Sequence, residues 1–251
     1  MTSRQELLQA FDTLLQPENF KDYGPNGLQV EGREAIGRVV SGVTASRALI
    51  EAAIATQADA ILVHHGLFWR GQDGRVNGWM KQRLALLLGH DINLFAYHLP
   101  LDAHPELGNN AQLGQKLGLL PQGRFGDQAL GMLGVHESGT FAGAGALASH
   151  LERQLNRPIT MVDPGPSRID KIAWCSGGAQ SYFEAAISAG ADAFITGEIS
   201  EPQAHLAWES GVAYFACGHH ATERFGAPAV AGRVAQQLGL SHTFIDIDNP
   251  A

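Results

Sequence analysis

The tetrapeptide Glu51-Ala52-Ala53-Ile54 recurs as Glu184-Ala185-Ala186-Ile187, and the same spacing of 133 residues carries Ala58-Asp59-Ala60 onto Ala191-Asp192-Ala193. One shared tetrapeptide is weak; two identical runs at a single spacing, with matching apolar runs beside them, indicate an internal duplication. The spacing also places Val39 on Ile172 and His65 on Glu198. In the first copy, Val39–Thr44 reads as a strand, Ser46–Thr56 as a helix and Ala60–Val63 as a second strand. That is the strand-helix-strand unit of a parallel sheet. Each copy continues with a further helix and strand, Trp79–Leu88 then Ile92–Tyr97, and Glu201–Glu209 then Val212–Cys217. The predicted fold class is therefore α/β: two similar α/β repeats, residues 1–122 and 123–251, with mostly parallel sheets. The join is expected at the turn-rich run Leu120-Pro121-Gln122-Gly123.

The flanking segments are legible too. Leu7, Leu8, Phe11, Leu14 and Leu15 share one face of an expected helix over Arg4–Leu15, with Thr2 or Ser3 as N-cap and Pro17 as its stop. Leu28–Gly32 alternates like a half-buried strand, and helices are expected over Asn110–Leu117 and Ala144–Leu155. Leu130–Val135 and Pro158–Val162 read as strands, the latter running into a loop at Asp163-Pro164-Gly165-Pro166.

Composition narrows the function. With 251 residues, 45% of them apolar, the chain can build a substantial core. Its net charge of −8 comes without a basic cluster, which argues against nucleic acid as a partner. No apolar run approaches the roughly 20 residues that span a bilayer, so no membrane partner is expected. The polar start lacks the pattern of a signal peptide, making the cytoplasm the expected compartment. Cys175 and Cys217 lie in apolar strand-like runs and read as core.

The chemistry collects at strand ends. Ile61-Leu62-Val63 delivers His64 and His65, Leu94–Tyr97 delivers His98, and Val212–Cys217 leads to His219 and His220. Five of the eleven histidines thus follow three apolar runs. Asp102 lies four residues after His98, Glu223 four after His219, and Glu198 follows the strand that ends near Thr196. In open parallel sheets, ligands gather at the carboxyl ends of strands. Residues four apart share one side of a helical turn, so His219 and Glu223 can converge. Neighbours on a strand face opposite sides, so His64 and His65 are expected to diverge unless the strand is already turning into its loop. His64, His65, Asp102, His219 and Glu223 give five donors for a metal site at strand C-terminal ends between the repeats. Imidazoles and carboxylates without thiolate suit zinc, iron, manganese, cobalt or nickel. Paired divalent ions recur in hydrolytic sites.

Together Val63-His64-His65-Gly66, His98-Leu99-Pro100-Leu101-Asp102, Thr196-Gly197-Glu198 and Gly218-His219-His220-Ala221-Thr222-Glu223-Arg224 resemble the GTP cyclohydrolase I type 2 family, also called the Nif-three-like family. The resemblance runs from Gly24-Pro25-Asn26-Gly27-Leu28-Gln29-Val30 to the final strand. It implies two intertwined α/β repeats, a centre of two divalent metal ions per subunit and a ring-shaped homohexamer. The ligands it implies are His64, His65, Asp102, His219 and Glu223, with His98 and Glu198 beside the centre for proton transfer or support. The chain departs from the family pattern at His220 and Gly66, and it lacks the central domain that some relatives insert.

The remaining candidates have plainer readings. His90, His104, His136, His150, His205 and His242 read as surface or satisfied polar groups, and the four tryptophans as packing residues. Ser176-Gly177-Gly178 could offer backbone N–H groups to an anion, although any tight strand-to-helix turn favours glycine. No P-loop signature is present. The resulting expectation is a metal-dependent hydrolase acting on a small anionic molecule, with ring opening of GTP or hydrolysis of a related damaged nucleotide suggested by the resemblance. The alternative is a metal-binding interaction or regulatory protein with a non-catalytic centre.

Overall fold

The computed structural model describes residues 2–165 and 167–251; Met1, at the head of the polar start, and Pro166, in the expected loop, lie outside the described residues. Sheets of mostly parallel strands, interleaved with helices, make it a mixed α/β protein. Packing divides the chain into two compact units: residues up to Gly108 with Arg224–Asp248, and Asn109–Glu223 with Asn249–Ala251.

The first unit opens with β1 (Thr2–Ser3) and α1 (Arg4–Leu15). Ser3 is the N-cap: its hydroxyl accepts from the Glu6 amide at 3.1 Å while the Glu6 carboxylate accepts from the Ser3 amide at 2.7 Å. This reciprocal pair satisfies two donors that the first turn leaves over. Leu7, Phe11 and Leu15 are buried at one-turn spacing. Each is worth about 1.5–3 kcal/mol when fully buried. Next come β2 (Gly27–Val30), β3 (Ala35–Ile36), β4 (Arg38–Thr44), α2 (Arg47–Ala55), β5 (Ala60–His65), α3 (Gly78–Gly89), β6 (Asn93–Ala96) and the short α4 (Leu99–Ala103).

The second unit contains α5 (Asn109–Lys116), β7 (Leu119–Phe125), β8 (Gly131–His136), α6 (Ala144–Leu155), β9 (Thr160–Val162), β10 (Lys171–Trp174), α7 (Phe183–Ser188), β11 (Ala193–Thr196), α8 (Glu201–Ser210), β12 (Ala213–Ala216) and α9 (His219–Glu223). Its six strands run in the order β7-β8-β10-β11-β12-β9. The central β10-β11-β12 are mutually parallel, β8 and β9 run antiparallel to them on either side, and β7 pairs antiparallel with β8.

The chain then returns to the first unit with α10 (Gly226–Leu238) and β13 (Ser241–Phe244), completing a sheet of order β13-β4-β5-β6-β2. Among its described strands, only the edge strand β2 is antiparallel. α10 lies beyond the helices expected above, and its signal is in the sequence: Ala227, Val230, Ala231, Val234 and Ala235 are buried at helical spacing. They share a core with Leu7, Phe11 and Leu15 of α1.

The duplication extends to individual hydrogen bonds. Asp59 Oδ2 accepts from the amides of Gly37 and Arg38 at 2.8 and 2.9 Å. Asp192 Oδ2 accepts from Asp170 and Lys171 at 2.9 and 2.8 Å, and all three residues stand at the repeat spacing from their counterparts. The strand registers match as well, Val39 pairing with Ala60 and Ile172 with Ala193. In each copy the aspartate ties the start of one parallel strand to the start of the next.

Leu120–Gly123 is not a turn. It lies within β7, an edge strand whose register shifts between Pro121 and Gly123. An edge position with a bulge can accept a residue that has no N–H to donate. Compact units and repeats are accordingly cut at different points, with α5 and β7 belonging to the second unit and α10 and β13 to the first.

Candidate metal centre

In the first unit, β4, β5 and β6 are parallel, so their carboxyl ends lie along one edge of the sheet. His64 and His65 are the last two residues of β5, and His98 follows β6 by two residues. His64 is fully buried. Its Nδ1 lies 3.1 Å from the Tyr97 carbonyl oxygen. A carbonyl can only accept, so Nδ1 carries the proton and Nε2 presents a lone pair. That Nε2 stands 3.6 Å from Asp102 Oδ1, on α4. His65 is half-buried, with Nδ1 3.3 Å from the Thr44 hydroxyl. The two rings do not diverge as adjacent strand residues should; their centroids are 4.5 Å apart at the point where β5 ends. Ring nitrogens of His64, His65 and His98 lie within 4.8 Å of one another.

His98 has a partner that no local motif marks, Asp22. Its Nδ1 donates to Asp22 Oδ1 at 2.7 Å. Asp22 Oδ2 accepts from the Leu99 amide at 2.8 Å and from Asn26 Nδ2 at 3.0 Å, and Asn26 Oδ1 accepts from the His98 amide at 2.8 Å. Burial alone would raise the Asp22 pKa, but hydrogen bonds from His98, Asn26 and the Tyr23 amide hold it down at about 2. Trp69, read from sequence as plain packing, stands edge-on to His98 with ring centroids 5.1 Å apart. A cavity of about 10 Å³, room for one water, lies against His64, His98, Trp69 and Gln29.

In the second unit, Glu198 follows β11 by two residues, and His219 opens α9 just beyond β12. The four-residue spacing does what a helical turn requires: His219 Nε2 lies 3.2 Å from Glu223 Oε2. On the other side of the ring, Nδ1 donates to Glu198 Oε1 at 2.6 Å. Glu198 is itself held, its Oε2 accepting from Gln180 at 3.2 Å and its backbone carbonyl from the Tyr214 hydroxyl at 2.7 Å. Burial works against a charged His219, but Glu223 and Glu198 outweigh it and lift the pKa to about 9. Glu223 is 3% exposed and lies tight against the backbone: a Cβ built on Gly177 would come within 1.9 Å of Glu223 Oε1. Only glycine fits, and its φ of +69° favours glycine as well.

Ser176-Gly177-Gly178 is not an open anion cradle. The Ser176 amide donates to Asn110 Oδ1 at 2.7 Å and the Gly177 amide to the Thr222 hydroxyl at 2.9 Å. These bonds brace the turn that accommodates Glu223. His220 is buried on α9 and belongs to no donor group among the described residues. Of the histidines read as satisfied, His242 pairs with Ser41, His150 with the Leu117 carbonyl and His205 with Glu201. Both cysteines are buried thiols. Trp174 is fully buried, whereas Trp79 and Trp208 are exposed. No helix among the described residues is long and apolar enough to cross a membrane.

The donor chemistry fits a divalent metal. His64 and His219 each have one nitrogen fixed by an oxygen acceptor and the other turned toward a carboxylate, as imidazole ligands of metals are held. Buried imidazoles and carboxylates of this set could hold a metal ion.

Comparison with known proteins identifies the family. A profile of the family described as Duf34/NIF3 (NGG1p interacting factor 3) matches residues 2–250. A protein of Neisseria meningitidis serogroup A named GTP cyclohydrolase 1 type 2 homolog is 51% identical over 254 residues, covering all of both chains. A protein of the same name from Escherichia coli K12 is 46% identical with 98% of each chain covered. Among solved structures, the protein ybgI, described as of unknown function, superposes over the whole of both chains with TM-score 0.95 at 45% identity. TTHA1606 from Thermus thermophilus does so with TM-score 0.90 at 31% identity.

Proposed function

The chain belongs to the Duf34/NIF3 family, and from that premise we propose that it is a metal-dependent hydrolase acting on a small anionic molecule. In this reading the ligands are those that the family resemblance implies, His64, His65, Asp102, His219 and Glu223, for two divalent ions per subunit. The observation that carries it is the orientation of the rings. In His64 and His219, an oxygen acceptor fixes Nδ1–H while Nε2 lies within 3.6 Å of a carboxylate oxygen. At His64 both groups bear lone pairs, an approach that a cation between them would stabilise; at His219, whose pKa is lifted to about 9, a proton on Nε2 bridges to Glu223 and a bound cation would take its place.

When bound, the ions supply Lewis-acid activation of water and stabilise negative charge. His98 accepts the proton of the attacking water, and Glu198 holds His219 in its liganding orientation. Trp69 and Tyr23, whose rings stand edge-on to His98, form an apolar flank. The relatives' name supports a nucleotide substrate, with GTP or a related damaged nucleotide as the first to test. The same resemblance supports a homohexameric ring.

The test is to measure bound metal and hydrolysis together in wild type, Asp102→Ala and Glu223→Ala. A panel of nucleotides and phosphoesters is presented to protein loaded in turn with zinc, iron, manganese, cobalt and nickel. Both variants should lose metal and turnover in parallel. Turnover that survives loss of metal refutes the reading. A second reading, a metal-binding interaction or regulatory protein, draws on the depth of the donors: His64 is 0% and Glu223 3% exposed, and structural sites are closed where catalytic ones stay open. Full metal content with no turnover on any substrate favours it.

A further inference from the structure

We infer that Asp22 is a positioning residue: it fixes the proton of His98 on Nδ1 and thereby presents the Nε2 lone pair as the proton acceptor of the reaction. The inference rests on the proposed hydrolase function for its catalytic meaning, while its structural content stands independently. Asp22 lies 76 residues from His98, and nothing in the local sequence marks it.

Four donors surround the carboxylate. Oδ1 receives the His98 Nδ1–H at 2.7 Å and the Tyr23 amide at 2.6 Å. Oδ2 receives the Leu99 amide at 2.8 Å and Asn26 Nδ2 at 3.0 Å. All these partners donate, so the group they enclose must accept on both oxygens, which only an ionised carboxylate does without conflict. The Asp22 side chain is 4% exposed, against 20% for His98. The aspartate is thus buried behind the ring, and the imidazole is the member that reaches solvent.

The ring is held from two further directions. Asn26 Oδ1 accepts the His98 backbone amide at 2.8 Å, fixing the start of the loop that carries the side chain. Trp69 meets the ring edge-on at 5.1 Å and 90°, limiting its tilt. His98 consequently has one defined tautomer and one defined direction. An imidazole whose Nδ1–H is donated to a carboxylate has Nε2 available as a base. As the water's O–H bond breaks, its proton passes to Nε2 and the ring becomes imidazolium. Asp22 stabilises that cation without taking the proton, and the ring then gives the proton to the leaving group. Because the aspartate acts through the ring, its loss alters the state of His98 without removing a donor from the proposed metal set.

The tautomer can be read directly, independently of any substrate. Long-range ¹H–¹⁵N correlation spectra of the full-length protein report which nitrogen of each imidazole bears the proton, and a His98→Gln variant identifies the His98 signals by their disappearance. In wild type, Nδ1 should read as protonated and Nε2 as a lone pair, with the Nδ1 proton shifted downfield by its charged acceptor. In Asp22→Ala the downfield proton should vanish and Nε2–H become the major form. Added formate, filling the space of the missing carboxylate, should restore the wild-type pattern. Should Asp22→Ala not fold, Asp22→Asn preserves the volume, and the Nδ1 proton should then move upfield. A His98 signal unchanged in the variants, or a wild-type ring protonated on Nε2, overturns the assignment. Failure of the hydrolase reading leaves all these signals as they are, so the two outcomes are distinguishable.

Discussion

Gly177→Ala offers the sharpest test of how the second unit holds Glu223, its proposed metal-binding carboxylate. The new methyl group would lie 1.9 Å from Glu223 Oε1, 2.8 Å from its Cδ and 3.1 Å from His219 Nε2. Two costs are superposed. The first is backbone strain, because φ is +69° there; an L-residue in the left-handed region costs roughly 1–2 kcal/mol. The second is the collision, for which overpacking of a close-packed site costs about 1–3 kcal/mol. Gly190→Ala separates them: its φ is +76°, yet the nearest atom to its Cβ is Lys171 Nζ at 3.6 Å. The control should therefore lose about 1–2 kcal/mol and Gly177→Ala about 2–5 kcal/mol in urea denaturation. Displacing the Glu223 carboxylate should also weaken metal binding by at least about 10-fold, the smallest loss typical even of outer partners of metal ligands. Calorimetric titration of both variants with zinc measures this. Equal destabilisation of the two variants, or wild-type zinc affinity in Gly177→Ala, refutes the reasoning.

Asp59→Ala and Asp192→Ala each strip two backbone amides of their acceptor and should destabilise by similar amounts, about 1–3 kcal/mol apiece. Urea midpoints that differ more than about threefold in cost would break the equivalence of the repeats. Asp22 sets an acid limit: its folded pKa, about 2, lies below the ordinary carboxylate value of 3.8. The stability it provides, roughly 2 kcal/mol, is complete well above pH 4 and is lost as pH falls toward about 2. The stability gap between wild type and Asp22→Asn should shrink over that window, and a gap independent of pH counts against the contacts described. Burial pushes the Cys217 thiol up to about 12, and Cys175 is buried too. Native protein should release no thiol signal to a disulfide reagent within minutes, and unfolded protein two equivalents; rapid native labelling would contradict the packing of β12.

Much of the site was legible from residue type and spacing. His219 and Glu223 needed only the pitch of a helical turn, and His64, His65 and His98 only the habit of apolar runs to end where loops begin. Asp22, Trp69 and Asn110 were not legible. Their partners lie 29 to 76 residues away, and no local period encodes such a pairing. The Ser176 turn shows the converse error: glycines that look ready for an anion have their amides already taken by Asn110 and Thr222.

The amino-acid sequence by itself determined the duplicated strand-helix-strand units, the amphipathic α1 and its cap, and the kinds of donor available at the strand ends. These depend on patterns two to four residues long, which propensity and burial of one face are enough to enforce. Only the tertiary structure decided that Pro121 lies in an edge strand, that α10 and β13 complete the first sheet, and which acceptor fixes each imidazole. Those outcomes depend on strand order, and strand order is settled by how whole faces bury against one another, a property of the assembled core that no short stretch of chain contains.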